Sequence, residues 1–208
     1  MKKVFITLSI TSLLGALAIG LFLYSGLFDV SATTPHSSLT KWLMTSTMHA
    51  SVARQGKGVE VPDLSDEGLI LEGINDFEAM CVACHGTPGK SPNSMGQGLN
   101  PSAPDLQESA QHHTPGELFW IIKHGIKMTG MPAWGVSHDD EALWPVVALL
   151  MELPDLNAES YASLRKQAKG VGHHAESGVM GKHAHESAEI ERSMKQPEIT
   201  HEHDDHEY

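Results

Sequence analysis

The feature that most constrains this chain is a pair of cysteines, Cys81 and Cys84, followed at once by His85. Cys-x-x-Cys-His is the attachment pattern of a c-type haem. Two thiols one helical turn apart can each form a thioether with a vinyl group on the same edge of the ring, and the next residue then lies beneath the iron. The chain contains only these 2 cysteines. The sequence therefore predicts one covalent haem c with His85 as an iron ligand, whereas a zinc site on these residues lacks a fourth ligand.

The first 32 residues form a predicted membrane anchor or signal segment. Lys2 and Lys3 precede an uncharged run over 4–28, and Asp29 is the first acidic residue. As a helix the run spans roughly 37 Å, enough for a hydrocarbon core of about 30 Å, whereas the apolar region of a secretory signal has only about 7–15 residues. Length favours an uncleaved anchor, although the small residues at 30–32 leave a cleaved signal as the alternative.

Charge sets the orientation of this segment. The lysine pair is expected to stay on the cytoplasmic side, so everything after the apolar run is exported. Export agrees with the haem motif, because c-type haem is attached on the far side of the bacterial membrane. The predicted location is the bacterial cytoplasmic (inner) membrane, single-pass, with the haem domain in the periplasm.

Residues 33–65 are predicted to form a juxtamembrane helix and a linker. Ser37 or Ser38 can cap a helix that runs to about residue 54, and Trp42 suits a membrane interface. The pattern indicates an amphipathic helix that lies on the bilayer or packs against the next domain. A copper site on soft methionine ligands of this helix has no further support in the sequence.

Residues 66–156 carry the apolar spacing of a small helical haem domain. A first helix, capped by Ser65 or Asp66, leads into the cysteine motif. A second apolar run over 118–126 follows a start signal at 114–117, with proline at the first helical position. A third helix begins near Ser137 or Asp139 and ends before Pro154.

A second iron ligand is predicted in the loop between the second and third helices. Met131 fits best, since Gly130 lets the chain approach a haem closely and Pro132 fixes the exit direction. A methionine in this role gives the known His/Met type of haem ligation. Met128 lacks a following proline and Met95 lies in a long loop, and both remain rivals, as do a histidine and an open site.

From about 66 to 156 the chain resembles a mono-haem class I cytochrome c. The resemblance is carried by three stretches in a fixed order: Cys-Val-Ala-Cys-His at 81–85, Asn-Pro-Ser-Ala-Pro-Asp-Leu at 100–106, and Gly-Ile-Lys-Met-Thr-Gly-Met-Pro-Ala-Trp-Gly at 125–135. It covers less than half of the chain and says little about the segments on either side.

The resemblance implies an all-α fold whose first and last helices cross at right angles. The family's contact at this crossing uses a glycine and an aromatic residue on the first helix and an aromatic residue on the last, which match Gly73, Phe77 and Trp144. The family also has a proline carbonyl that accepts a hydrogen bond from the proximal imidazole. Pro104 is the best match for it, with Pro101 as the alternative, and this bond would raise the basicity of the imidazole.

His/Met ligation fills both axial positions and leaves no site for a substrate. The chain is therefore interpreted as a single-electron carrier and not an enzyme, with the lipid bilayer and unidentified redox proteins as partners. Two alternatives remain. One is a haem-based sensor or enzyme in which Met131 is a labile ligand. The other is a metal-binding protein that acts through its C-terminal tail.

Charge narrows the choice of partner. The net charge of −12 with neutral histidine argues against nucleic acid, which requires a basic face. Residues 66–156 contain thirteen Asp and Glu but only three basic residues, Lys90, Lys123 and Lys127. An acidic surface favours a partner with a basic docking patch, although it can equally be a merely solvated face.

Residues 157–208 are predicted to form a short helix over about 161–169 and then a disordered tail rich in histidine and acid. Such tracts bind divalent ions such as Cu(II), Ni(II) or Zn(II), or they remain solvated and gain charge as the pH falls. Seven of the 14 histidines lie in this tail: His173, His174, His183, His185, His201, His203 and His206.

Overall fold

The structure, a computed structural model, describes residues 1–171, and the predicted His-rich tail lies outside the described residues. Within 1–171 the chain forms nine α-helices and three short 3₁₀ helices, and no β-strand, which confirms the predicted all-α class. The helices are α1 Lys2–Tyr24, α2 Ser38–Gly56, α3 Glu67–Met80, α4 Val82–His85, α5 Ser94–Gln97, α6 Leu106–Ser109, α7 Pro115–His124, α8 Asp140–Glu152 and α9 Ala158–Gln167. The 3₁₀ helices are Ala110–His112, Trp134–Val136 and Leu153–Asp155.

Local capping signals explain where the main helices begin. The side chains of Ser37 and Asp66 accept hydrogen bonds from the backbone at the starts of α2 and α3. Thr114 and Glu117 form a reciprocal capping box at the start of α7, and Asp139 accepts from the backbone N–H of Ala142 in α8. Each cap satisfies a backbone donor that has no partner inside the helix.

The core is built where α3 meets α8. A side chain at Gly73 would collide with the backbone carbonyl of Pro145, so α3 can approach α8 closely only because residue 73 is glycine. Phe77 is fully buried next to this contact. The ring of Trp144 stacks on Phe119 of α7 at a centroid distance of 4.1 Å. Trp144, the aromatic residue of α8, thus packs against the neighbouring helix α7 beside the contact of α3 with α8.

Two helices outside the central bundle also contact it. Near the C-terminal end of α2, Val52 and Gly56 are buried. After α8 in the chain, α9 packs against α3. Its residue Tyr161 is buried edge-on against Phe77 at a centroid distance of 6.2 Å. The hydroxyl of Tyr161 donates to Glu78 over 2.9 Å. The predicted short C-terminal helix is present, three residues earlier than expected at its start.

The first helix, α1, is 23 residues long and has no buried residue. Its length and composition are sufficient to cross a membrane. A signal sequence near the N-terminus has the same properties, so the geometry of α1 is compatible with both an anchor and a cleaved segment.

Candidate haem site

The cysteine motif lies at a helical end that the core holds in place. The backbone N–H of Cys81 donates to Phe77 over 2.9 Å, and that of His85 donates to Cys81 over 2.9 Å, so helical bonding continues across the motif. Both thiols are free, and Cys81 is buried. Burial, together with the charge of Asp76, raises the pKa of the Cys81 thiol to about 12. The turn at Gly86, with a φ of +74°, then ends the helix.

His85 is oriented by a backbone carbonyl. Its Nδ1–H donates to the oxygen of Pro104 over 2.9 Å. Burial lowers the pKa of His85, against the smaller opposing effect of the bond to Pro104. The imidazole is therefore favoured in its neutral form, with Nδ1 occupied and Nε2 available to a metal.

The Pro104 carbonyl is itself held by a brace that the sequence interpretation missed. Asp105 caps α6 through the N–H of Gln107 at 2.8 Å. The side-chain amide of Gln107 donates to the carbonyl of Leu153 over 3.2 Å and to that of Leu156 over 2.7 Å. The brace joins the segment after Pro104 to the end of α8. A glutamine two residues beyond a Pro-Asp pair is too common a pattern to indicate this role.

Met131 lies in a loop that closes on itself. The N–H of Met131 donates to the hydroxyl of Thr129 over 3.1 Å, and that hydroxyl donates to the carbonyl of Ile126 over 2.7 Å. The side chain of Met131 is half-buried and packs against the core cluster that includes Cys81. Gly125, with a φ of +62°, starts the loop and lies directly against the backbone of Pro132.

The two rival methionines are placed differently. Met128 is 81% exposed and has a φ of +59°, which is unusual for a residue with a side chain. Met95 is 66% exposed on α5. Of the three methionines considered from the sequence, Met131 is the one that packs against the core.

These residues fit a covalent haem. Two free thiols lie one helical turn apart, the following imidazole has one nitrogen fixed and the other open, and a thioether packs against the same core. Fold and site together define a mono-haem class I c-type cytochrome domain, which carries haem c covalently and acts in electron transfer.

The comparison with protein families agrees. Residues 68–150 match the family described as cytochrome C oxidase, cbb3-type, subunit III, and this segment is a c-type cytochrome domain. The match covers less than half of the chain and includes neither α1, α2 nor α9. Comparison with curated proteins and with solved structures gave no match.

The part of the chain that the structure describes shows no cluster of His, Cys, Asp or Glu side chains for a further metal ion. Among residues 1–171, no group of three or more His, Cys, Asp or Glu side chains is placed to hold a metal ion. A zinc site on Cys81, Cys84 and His85 therefore has no support among these residues. The histidines proposed to bind divalent ions lie beyond residue 171, outside the described residues.

Proposed function

We propose that this chain is a membrane-anchored single-electron carrier. Cys81 and Cys84 would hold the haem as thioethers, and His85 and Met131 would ligate its iron. The observation that carries the proposal is the bond from His85 Nδ1 to the Pro104 carbonyl at 2.9 Å. This bond fixes the ring and leaves Nε2 for a metal, which is the arrangement of a ligating histidine.

The two side chains proposed as iron ligands would decide the chemistry. Bound haem supplies one-electron exchange at its iron. His85 and Met131 would both ligate the iron of a bound haem, which would leave no position for a substrate or a small gas, and the thioether would raise the potential. Cys81 is buried in the core, and the half-buried side chain of Met131 packs against the same core. These roles describe an electron-transfer protein and not an enzyme.

The charges of the domain favour a basic partner. Of the three lysines between 66 and 156, Lys123 is already paired with Asp140 at 2.6 Å. The domain surface is therefore predominantly acidic, and a redox protein with a basic docking patch would associate faster with it at low salt. The rate of electron transfer to such a partner is expected to fall as the ionic strength rises.

The ligand assignment is tested by the optical spectrum of the full chain, produced in a host that exports it and attaches haem. The ferric protein is expected to show the weak long-wavelength sulfur-to-iron band of a methionine ligand. Met131→Leu should abolish this band, and the matched control Met128→Leu should retain it. A band unchanged in Met131→Leu contradicts the ligand assignment, and a five-coordinate spectrum in the native chain favours the sensor or enzyme alternative.

The location is tested by fractionation and mass determination. We propose that α1 remains attached and spans the bacterial cytoplasmic membrane, with the haem domain on the periplasmic side. The intact chain is then expected in the membrane fraction, and added protease should degrade the haem domain in spheroplasts. A shortened, soluble haem protein would instead mean that α1 is a cleaved signal.

A further inference from the structure

The two halves of α2 have different surroundings. Towards its C-terminal end Val52 is only 1% exposed. Near its start Leu39, Trp42 and Leu43 are 71%, 64% and 56% exposed. Positions separated by three and four residues lie on one face of a helix. The N-terminal half of α2 thus carries an apolar face that has no cover among residues 1–171.

The other end of α2 is joined to the haem domain by direct backbone contact. A Cβ atom at Gly116 in α7 would lie 2.6 Å from the carbonyl oxygen of Gly56. A Cβ atom at Gly56 would lie 2.8 Å from the backbone of Glu117. About two turns before Gly56, the ring of His49 stacks on that of His113 at a centroid distance of 5.9 Å. These contacts fix the direction of α2 relative to α7.

A second connection holds the segment between α1 and α2. The side-chain amide of Asn100 donates to the carbonyls of Ala32 and Thr34 over 3.0 and 2.9 Å. The carboxylate of Asp29 accepts from the N–H of Ser31 over 2.8 Å and from the hydroxyl of Thr34. The segment that follows the apolar helix is thus folded locally and attached to the haem domain.

This second connection lies beside the methionine loop. Leu99, the neighbour of Asn100, fills the space next to Gly130, where a Cβ atom would be 2.5 Å from a Leu99 methyl group. One loop therefore contacts both the segment leaving α1 and the segment carrying Met131. The Met131 side of the domain faces the point at which the chain would leave a membrane.

We infer that α2 is a rigid strut whose Leu39, Trp42 and Leu43 face lies in the bilayer interface and which holds the haem domain in one orientation, with the Met131 loop towards the membrane. The inference rests on the proposed function only in that α1 remains as an anchor. We assign the bilayer interface as the partner of the apolar face because α2 is the next helix after the membrane helix α1. Tryptophan is also the residue type enriched at that depth.

Distance supports the same occupant. The connection between Tyr24 and Ser38 has 13 residues, and a fully extended chain of this length reaches at most about 45 Å. The connection is shortened further, because Asn100 and Asp29 fold its middle. The start of α2 is therefore held close to the bilayer that α1 enters. A partner that accepts electrons on the Met131 side would be another protein of that membrane.

Orientation is tested on the full, haem-loaded chain in aligned membrane multilayers. The electron paramagnetic resonance signal of the ferric haem should change strongly with the tilt of the sample, because a fixed domain has a fixed haem plane. A variant with Leu39, Trp42 and Leu43 all changed to Ser should lose most of this dependence. These three exposed residues leave the haem domain untouched, so the optical spectrum should stay the same.

A second variant tests the connection itself. Asn100→Ala should also weaken the dependence on tilt, whereas Gly98→Ala in the same loop should not, since a Cβ there meets its neighbours at an ordinary 3.5 Å. An intact, membrane-bound native chain whose signal is independent of tilt overturns the strut. Release of a shortened chain, detected by mass, overturns the anchor and the strut together, so the two failures are distinguishable.

The occupant is tested by fluorescence in lipid vesicles. The difference in emission between the native chain and Trp42→Phe isolates Trp42 from the other 3 tryptophans. Brominated lipids should quench this difference signal by at least half. An unquenched Trp42 means that something else covers the face, such as a second copy of the chain, and overturns the assignment to the bilayer.

Discussion

The two sides of the candidate haem site are held in different ways. On the histidine side, His85 continues a helix, and its partner Pro104 is fixed through Gln107 to the carbonyls of Leu153 and Leu156. On the methionine side, Met131 is held mainly by Thr129 and Ile126, within a loop of six residues. The segment that bonds to His85 is therefore braced by distant parts of the chain, whereas the hydrogen bonds of the Met131 backbone are made by its own neighbours.

The difference indicates where the site can open. Moving His85 would disturb the end of α8 and the core, whereas moving Met131 would break hydrogen bonds only within its own loop, together with the packing of its half-buried side chain. Local openings of this kind cost less free energy than global unfolding. If the site has a labile ligand, we expect it to be Met131, which is the feature on which the sensor alternative depends.

The largest expected effect is on the scaffold of the histidine side. Gly73→Val forces a side chain into the carbonyl of Pro145 and should lower the free energy of unfolding by about 3 kcal/mol or more, measured by denaturant titration. Gly98→Ala, which meets only ordinary contacts, is the control and should change it by no more than about 0.5 kcal/mol. Equal midpoints for both variants would show that the α3–α8 contact does not support this side.

The brace itself is tested by Gln107→Leu. The change leaves the carbonyls of Leu153 and Leu156 without this donor, at a cost of about 1–3 kcal/mol. It should also loosen the Pro104 carbonyl and so weaken its hydrogen bond with the imidazole of His85. The imidazole would then be a less basic ligand of the iron, and the midpoint potential of the haem should rise. Gln111→Leu, which removes one exposed bond to Gln107, should leave the potential unchanged. A potential that does not differ between the two variants would remove Gln107 from the histidine side.

Tyr161→Phe tests the support from α9 and has a defined pH dependence. Burial and the nearby Glu78 carboxylate raise the pKa of Tyr161 well above its usual value. Its contribution is complete below the pKa of a free tyrosine, about 10, and is lost as the pH rises beyond it, because only the unfolded state ionises readily. The variant should be less stable by about 1 kcal/mol at neutral pH. Its deficit should shrink above pH 10, and a deficit independent of pH would contradict this account.

The smallest effect is expected on the methionine side. Thr129→Val removes the hydroxyl that accepts from Met131 and donates to Ile126, at about 0.5 kcal/mol of unfolding free energy. The same loss should let imidazole bind to the ferric protein roughly twofold more tightly, measured by optical titration. Thr45→Val, on an exposed part of α2, is the control. Affinities that match between the two variants would show that the loop does not limit opening.

The sequence predicted what depends on neighbouring residues. Capping residues, the cysteine motif and the helical class follow from short patterns, and the structure and the family match confirm the class, the covalent haem c and a role in electron transport. The assignment of individual iron ligands remains a prediction. The contact of Gly73 with α8 also came from the resemblance, since spacing alone does not identify the partner of a glycine.

Long-range contacts were beyond sequence patterns. Asn100 reaches the segment at Ala32 and Thr34, and Gln107 reaches Leu153, across stretches of 46 residues or more. Nothing local distinguishes these side chains from any exposed amide. The stacking of Trp144 on Phe119 was missed for the same reason, because it depends on how α7 comes to lie beside α8.

The contact between Gly56 and Gly116 has a practical consequence for soluble fragments of this protein. A fragment that starts at Asp66, as the boundary of the haem domain would suggest, lacks α2 and exposes the first turn of α7 to water. It also loses the buried side chain of Val52. Such a fragment should unfold more easily than the whole chain, and a potential measured on it would describe a domain without its natural cover.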